Sequence, residues 1–446
     1  MVSLRRKRQA EQEVAVPSDV EDKPEEPAPT LPEPPAPTAS GLRRMQDHRD
    51  YLLSLVEPLP AFGMSLLDAW NLTLCEDISS EVDLPGFENS QMDGYAVRAA
   101  DVWEASEEDP ATLTVAAHVA AGEAAAPLPE GQAMKVMTGA PIPEGADAVV
   151  PVESTDNGAE QVQITEPVLA GAHIRRRGSD ITRGSRLLSR GQQLDARNIG
   201  LLAAAGVDKV LARPRPRVVV VSTGAELVEP GRELSAPGQI HDANSYLLAA
   251  AARAEGCQVW RVQVPSDEPE DVRQVINDQL IRADLIITTG GVSKGDHDVV
   301  KEVMPCLGPC DFAEVAMQPG KPQGVALIGD DQVPVVMLPG NPVSCYVSFH
   351  AFVRPLIRTL MGLEPVNHRP VQAVAGADMQ SVKGKLQFAR GRVSERDGQL
   401  VAELVGGHSS HLLGSLAASN ALVLLTEDVE LVAAGSPVTV WRLGND

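Results

Sequence analysis

The chain has 446 residues, with 38 Lys and Arg against 61 Asp and Glu, a net charge of −23. A 43% apolar fraction excludes a wholly disordered chain, and so acidic a sequence with 3% aromatic residues excludes a general nucleic-acid binder, which needs cations and stacking platforms. Five Cys exclude a disulfide framework and point to a reducing cytoplasm; no run nears the roughly 18 apolar residues of a transmembrane helix, so the protein is not expected to be integral to a membrane.

Residues 1–40 hold 8 Pro, no Gly and no aromatic residue, with 5 basic and 8 acidic side chains. Such a segment predicts a disordered, partly polyproline-like acidic arm. Its cluster Arg5, Arg6, Lys7, Arg8 has no apolar stretch behind it and does not read as a signal peptide. The cluster either touches an acidic partner or membrane surface, or is a solvated tail. Leu42, Met45, Tyr51, Leu52, Leu55 and Val56 predict an amphipathic helix. Residues 64–78 predict a second, with Pro58 and Pro60 breaking the chain between them. Residues 85–180, rich in Gly and Pro with short apolar runs, predict a small β domain, and 195–210 return to helix.

From 214 to 360 the pattern alternates. RVVVVSTG, QVWRVQV, ADLIITTGG and VPVVMLPGNP read as strands; 243–256, 268–283 and 343–362 read as helices. That alternation predicts a parallel α/β sheet. KLQFARGRV, QLVAELV, NALVLLT and SPVTVWRL then predict a small β domain or barrel.

Ligands of parallel sheets bind beyond the carboxyl ends of the strands. One such end carries Ser222, Thr223, Gly224 and Glu226. A second carries Gly290, Gly291, Ser293, Lys294, Asp296, His297 and Asp298. A third carries Gly340, Asn341 and Pro342. Paired glycines permit a backbone anion nest, Ser293 and Lys294 supply a donor and a charge, and Asp296 and Asp298 are hard oxygen ligands suited to Mg²⁺. Asn341 either opens a helix whose N–H groups attract an anion or simply caps it. Lys321, between Gly320 and Pro322, is either a fixed phosphate-binding cation or a solvated lysine. In the small domain, Asp93 precedes Gly94 in what reads as a tight turn, Thr138 lies in a second turn, and Arg175, Arg176 and Arg177 precede Asp180. The arginine triplet is either an anion site or surface charge. Cys306 and Cys310 have no second pair for zinc, and no G-x-S-x-G elbow supports a hydrolase.

Taken together, ENSQMDGYA, KVMTGAPIPEGADAVV, RRRGSDI, STGAEL, GQIHDANSY, TTGGVSKGDHD, MQPGKP and LPGNPVS follow the order seen in molybdopterin molybdenumtransferases, and from about residue 40 onward the chain resembles this MoeA family, which includes the E domain of gephyrin. The resemblance implies an elongated homodimer of α/β multidomain architecture. A helical dimerisation segment (41–85 and 181–213) carries a small inserted β domain (86–180). A molybdopterin-binding parallel α/β domain (214–362) and a C-terminal β barrel (363–446) follow. It implies insertion of molybdate into adenylylated molybdopterin with release of AMP, with Mg²⁺ required, in a cleft shared by the α/β domain of one subunit and the small β domain of the other. Asp93, Thr138, Asp180, Glu226 and Asp298 match family cleft positions, as does Lys321, and Arg390 matches a barrel arginine on a shorter motif. Lys294, Gln318 and Ala225 depart from residues common in the family. The gephyrin branch adds an alternative: a scaffold for membrane-receptor or cytoskeletal peptides, bound at the dimer surface or through the N-terminal arm.

Overall fold

The computed structural model describes residues 30–291 and 298–444. Helix α1 (Met45–Ser54) buries Met45, His48, Tyr51 and Leu52 on one face, as its apolar spacing predicts. Part of the predicted arm is tied to this helix. The Tyr51 hydroxyl donates to the Pro32 carbonyl at 3.3 Å, and Arg43 Nε donates to the Pro35 carbonyl at 3.0 Å. An extended proline-rich chain leaves its carbonyls unpaired, and these side chains use them. The rest of the arm, 1–29, lies outside the described residues.

The second predicted helix does not form. Strand β1 (Phe62–Ser65) leads into turns, with Asn71 at φ 65° and Thr73 and Leu74 bridged to Gln193 and Ala212. Leu72 and Leu74 are buried two residues apart, the spacing of an extended chain, and Leu74 is bridged to Ala212 from across the inserted domain, so tertiary pairing overrides the local helical pattern.

The inserted domain is a five-stranded sheet. Its strands are β2 (Gly94–Val97), β3 (Ala111–Val119), β4 (Gln132–Val136), β5 (Ala148–Pro151) and β6 (Gln161–Ile164), in the order β5-β2-β4-β3-β6. The Asp93-Gly94 pair is not a hairpin turn. Gly94 begins a central strand, and a Cβ there would lie 2.0 Å from the Val150 carbonyl oxygen. The position requires glycine for close approach rather than for a positive φ. Gly94→Ala is expected to destabilise this domain by about 3 kcal/mol. Faster hydrogen exchange confined to 94–97 and 148–151 would show it.

Helix α2 (Ala196–Ala204) opens on a reciprocal capping box between Asp195 and Asn198, and Gly206 at φ 81° follows its end. The predicted helix is thus shorter than 195–210, because Lys209–Ala212 forms β7 and pairs antiparallel with β1.

The α/β domain comprises β8 (Arg217–Thr223), α3 (Asn244–Ala254), β9 (Gln258–Val264), α4 (Pro269–Leu280), β10 (Leu285–Thr289), α5 (Val299–Leu307), β11 (Cys310–Glu314), β12 (Pro322–Ile328), β13 (Val333–Leu338) and α6 (Pro342–Ser348). A π-helical turn, Phe349–Val353, joins α6 to α7 (Arg354–Leu360). Strand order is β9-β8-β10-β13-β12-β11. The first four run parallel, as expected; β12 alone is reversed, antiparallel to both β13 and β11, and makes the sheet mixed. Val218 and Val220 pack on the cluster that includes Leu52 and Leu72, while Val219 and Val221 face Val272, Ile276 and Val300. Burial on both faces explains the unbroken valine run.

The last region is a closed five-stranded barrel. Strands β14 (Val371–Ala375), β15 (Leu386–Arg396), β16 (Gln399–Leu404), β17 (Ala421–Leu425) and β18 (Pro437–Arg442) close through the β15–β17 pairing. Met317 and Gln318 pair with Leu386 and Gln387, which stitches the Lys321 loop to the barrel.

Candidate functional site

The structure groups the candidate residues in two places. In the small domain, Asp93 Oδ1 accepts the Thr138 N–H at 2.6 Å and the Thr138 hydroxyl at 2.9 Å. These bonds, the backbone one foremost, hold the Asp93 carboxyl below its ordinary range. Both residues are exposed and face solvent as a preformed acceptor. With its folded pKa depressed, Asp93 contributes stability above its unfolded pKa and loses it as pH falls through the folded value. Thr138→Val keeps the N–H and removes the hydroxyl, so the Asp93 carboxyl should titrate at higher pH; side-chain NMR titration reads this. Asp180 lies on a separate turn, where its N–H donates to the Leu84 carbonyl at 3.0 Å. Of the arginine triplet, Arg177 is engaged by Asp83 at 2.6 Å.

The second group lies at the carboxyl ends of the parallel strands. A cavity of about 120 Å³ is lined by Thr223, Glu226, Asp242, Asn244, Thr289 and Gly290, among others. Glu226 is exposed. Gly290 and Gly291 have φ 98° and 68°, left-handed values that suit glycine, and a Cβ on Gly291 would strike Val300 at 2.8 Å. Asp242, only 1% exposed, accepts the Ser222 and Ser245 hydroxyls at 2.6 Å each and the Ser245 N–H at 3.0 Å. It thereby fixes the end of β8 to the start of α3. Asn341 stands at the first turn of α6 but makes no side-chain cap, and the Val343 N–H already donates to the Ser410 carbonyl at 3.1 Å. Ser293, Lys294 and Asp296 lie outside the described residues.

Asp298 precedes α5 with its side chain 15% exposed; its Oδ2 is buried with no hydrogen-bond partner, and Lys301 Nζ stands 3.9 Å away. Beyond the β13 end, a cavity of about 530 Å³ is lined by Gln318, Lys321, Ser344, Lys385, His408 and Ser410, among others. Lys321 is held by Glu314 at 2.9 Å. Arg390, 5% exposed, does not line this cavity; it donates to the Ser409 carbonyl at 3.0 Å and to the Gly407 carbonyl, holding the loop that does. Burial pushes its guanidinium pKa down. Among the described residues, no hydrogen bond or ion pair joins the small-domain group to the second group.

Sequence reasoning missed Asp242, Asn244, Lys385 and Ser410 as site residues, while Ser344 closes the LPGNPVS strand end that it did single out. Asp242 and Asn244 sit inside the GQIHDANSY motif, which could have flagged them; Lys385 and Ser410 have no local signal and arrive only by the pairing of 317–318 with the barrel.

Three family models match in order: the MoeA N-terminal region (domain I and II) over 43–206, a probable molybdopterin binding domain over 219–359, and the MoeA C-terminal region (domain IV) over 372–443. Molybdopterin molybdenumtransferase 2 of Mycobacterium tuberculosis is 41% identical over 413 residues, spanning 90% of this chain and 100% of the relative. The molybdopterin molybdenumtransferase of Haemophilus influenzae is 35% identical over 382 residues, spanning 84% and 92%. A solved molybdopterin biosynthesis MoeA protein from Pyrococcus horikoshii superposes with TM-score 0.69 at 28% identity over 90% of this chain and 100% of that one. Models in domain order, near-full-length relatives and a matching architecture agree: the chain belongs to the MoeA family of molybdopterin molybdenumtransferases.

Proposed function

We propose that the protein inserts molybdate into adenylylated molybdopterin, releasing AMP. The observation that carries this reading is the Lys321 cavity: two lysines and three serines converge there in a chain of net charge −23. Fixed cations and hydroxyls in a partly enclosed site stabilise oxyanions far better than exposed charges do. Lys321 and Lys385 hold the molybdate. The Gly290–Gly291 loop takes the phosphoanhydride through the Gly291 N–H, since the Gly290 N–H already donates to the Leu338 carbonyl at 3.2 Å. Asp93, kept ionised by Thr138, takes a proton from a molybdopterin thiol as the Mo–S bond forms and passes it to the molybdate oxygen that leaves as water, and Asp180 serves the same transfer. Glu226 lines the strand-end cavity and orients the pterin side of the substrate.

Mg²⁺ fits this donor set. Among the described residues no cluster of three or more His, Cys, Asp or Glu forms a metal cage. Mg²⁺, however, is commonly held by one or two carboxylates together with substrate phosphates and water. Asp298, with a buried oxygen lacking any partner, would be one of those carboxylates, and Asp296 the other. The ion supplies charge neutralisation on the phosphoanhydride when bound. The five cysteines are all unpaired, which supports a reducing, cytoplasmic setting; no described helix is long and apolar enough to cross a membrane. The relatives are named as transferases, which favours the enzyme over the peptide scaffold.

The separation of the two residue groups within one chain supports a cleft completed by a second copy. An insertion assay with adenylylated molybdopterin, molybdate and Mg²⁺ tests both points. Asp93→Ala and Asp298→Ala should each be inactive. Mixed and allowed to exchange subunits, they should recover activity, because half the dimers then carry one intact cleft, about a quarter of all sites. No recovery after exchange would place both residues in one subunit's cleft, and an inactive native protein would remove the transferase reading.

A further inference from the structure

Asn244 opens α3 and sits between two strand-end loops. Its Nδ2 donates to Thr289 Oγ1 at 3.0 Å, at the end of β10, and to the Gly340 carbonyl at 2.6 Å, just after β13. The loops it joins are in contact: a Cβ on Gly340 would lie 3.6 Å from the Gly290 Cα. Behind them the β10–β13 ladder pairs the chain as far as Thr289 and Leu338, and past it the Gly290 N–H reaches the Leu338 carbonyl at 3.2 Å, the long end of the usual range. A carbonyl only accepts, so the amide nitrogen must face Gly340, and this fixes the orientation of the side chain. Its Oδ1 is then buried with no partner, an arrangement that is unfavourable unless both donors are needed where they are.

We propose that Asn244 is a positioning residue that sets the gap between the Gly290–Gly291 loop and the Gly340–Asn341 loop, and through that gap the affinity for adenylylated molybdopterin. The inference rests on the transferase reading for its substrate, but the clamp itself is a property of the free protein. It predicts a donor requirement. A side chain of the same shape that cannot donate should weaken substrate binding, and restoring one donor should restore part of it.

Asn244→Asp provides that side chain. Ionised, it repels the Gly340 carbonyl; protonated, it donates once. At about pH 8 its KM for adenylylated molybdopterin should rise about tenfold with kcat changed by less than about twofold. At about pH 5.5 the KM should fall back toward the native value, since burial against a carbonyl favours the protonated carboxyl. Asn244→Ala has no donor at either pH and should keep the raised KM at both. Glu226, His241 and Asp242 line the same cavity, so the native and Asn244→Ala profiles supply the baseline for their titration. In the substrate-free protein, amide exchange over 288–291 and 338–341 should quicken in both variants. A native KM for Asn244→Asp at pH 8, a defect that does not recover in acid, or unchanged exchange in the two loops would overturn the proposal. So would global unfolding of both variants, which would make Asn244 a folding residue instead. An inactive native protein with quickened exchange in the variants would sink the transferase reading and leave the clamp standing.

Discussion

Asp298→Asn should lower molybdenum insertion by about a thousandfold or more while leaving thermal stability unchanged or slightly higher. The two effects have one cause. Asp298 Oδ2 is buried with no hydrogen-bond partner, so the fold carries an unsatisfied carboxylate oxygen, and Lys301 at 3.9 Å is too far to donate to it. Such an oxygen disfavours folding unless a ligand completes it. The amide has the same shape and a smaller desolvation penalty, so stability should rise by up to about 1 kcal/mol. On the function proposed above, it also withdraws a carboxylate that would hold Mg²⁺ against the phosphoanhydride. Insertion assays with calorimetry on the same preparation give both readings. Activity lost together with stability would mean the carboxylate is structural; full activity would remove Asp298 from the site.

The same contrast between local and distant information runs through the fold. The strand Arg217–Thr223 was legible because burial on both faces requires an apolar β-branched run, visible without knowing the neighbours. The α2 start was legible because Asp195 and Asn198 cap the helix within four residues. The 64–78 segment misled because its apolar spacing suits a helix, while its flanking strand pairs with Lys209–Ala212, far along the chain. Gly94 misled for a related reason: the glycine is required by the Val150 carbonyl of a neighbouring strand, not by a turn. The mixed sheet was hidden because the antiparallel direction of Pro322–Ile328 follows from a return connection that leaves no periodic mark. In the candidate site, motif turns exposed Asp93, Thr138 and Lys321. The bonds of Asn244 reach residues 45 and 96 positions away, and no spacing rule encodes them.

Lys321→Ala should raise the KM for molybdate about a hundredfold, with the protein still folded. The Lys321–Glu314 pair is more than a third exposed on both sides, so it adds little to stability, under about 1 kcal/mol. Its effect on an anion is larger, because the pair is electrically neutral as a unit. Removing the lysine alone leaves the Glu314 carboxylate beside the cavity and replaces a neutral pair by a negative charge. The remaining cation named in the cavity wall, Lys385, then works against that carboxylate as well as against the net charge of the chain. A second substitution separates the two contributions. Lys321→Ala with Glu314→Gln should bind molybdate better than Lys321→Ala alone, since the repulsion is relieved although the attraction is not restored. Raising the salt concentration should narrow the difference between single and double variants, as expected for partly exposed charges. Equal KM values for the single variant, the double variant and the native protein would show that the anion binds elsewhere. A Lys321→Arg protein with full activity would show that any cation suffices. A loss there would show that the compact ammonium, able to sit between Glu314 and the oxyanion, is what the cavity requires.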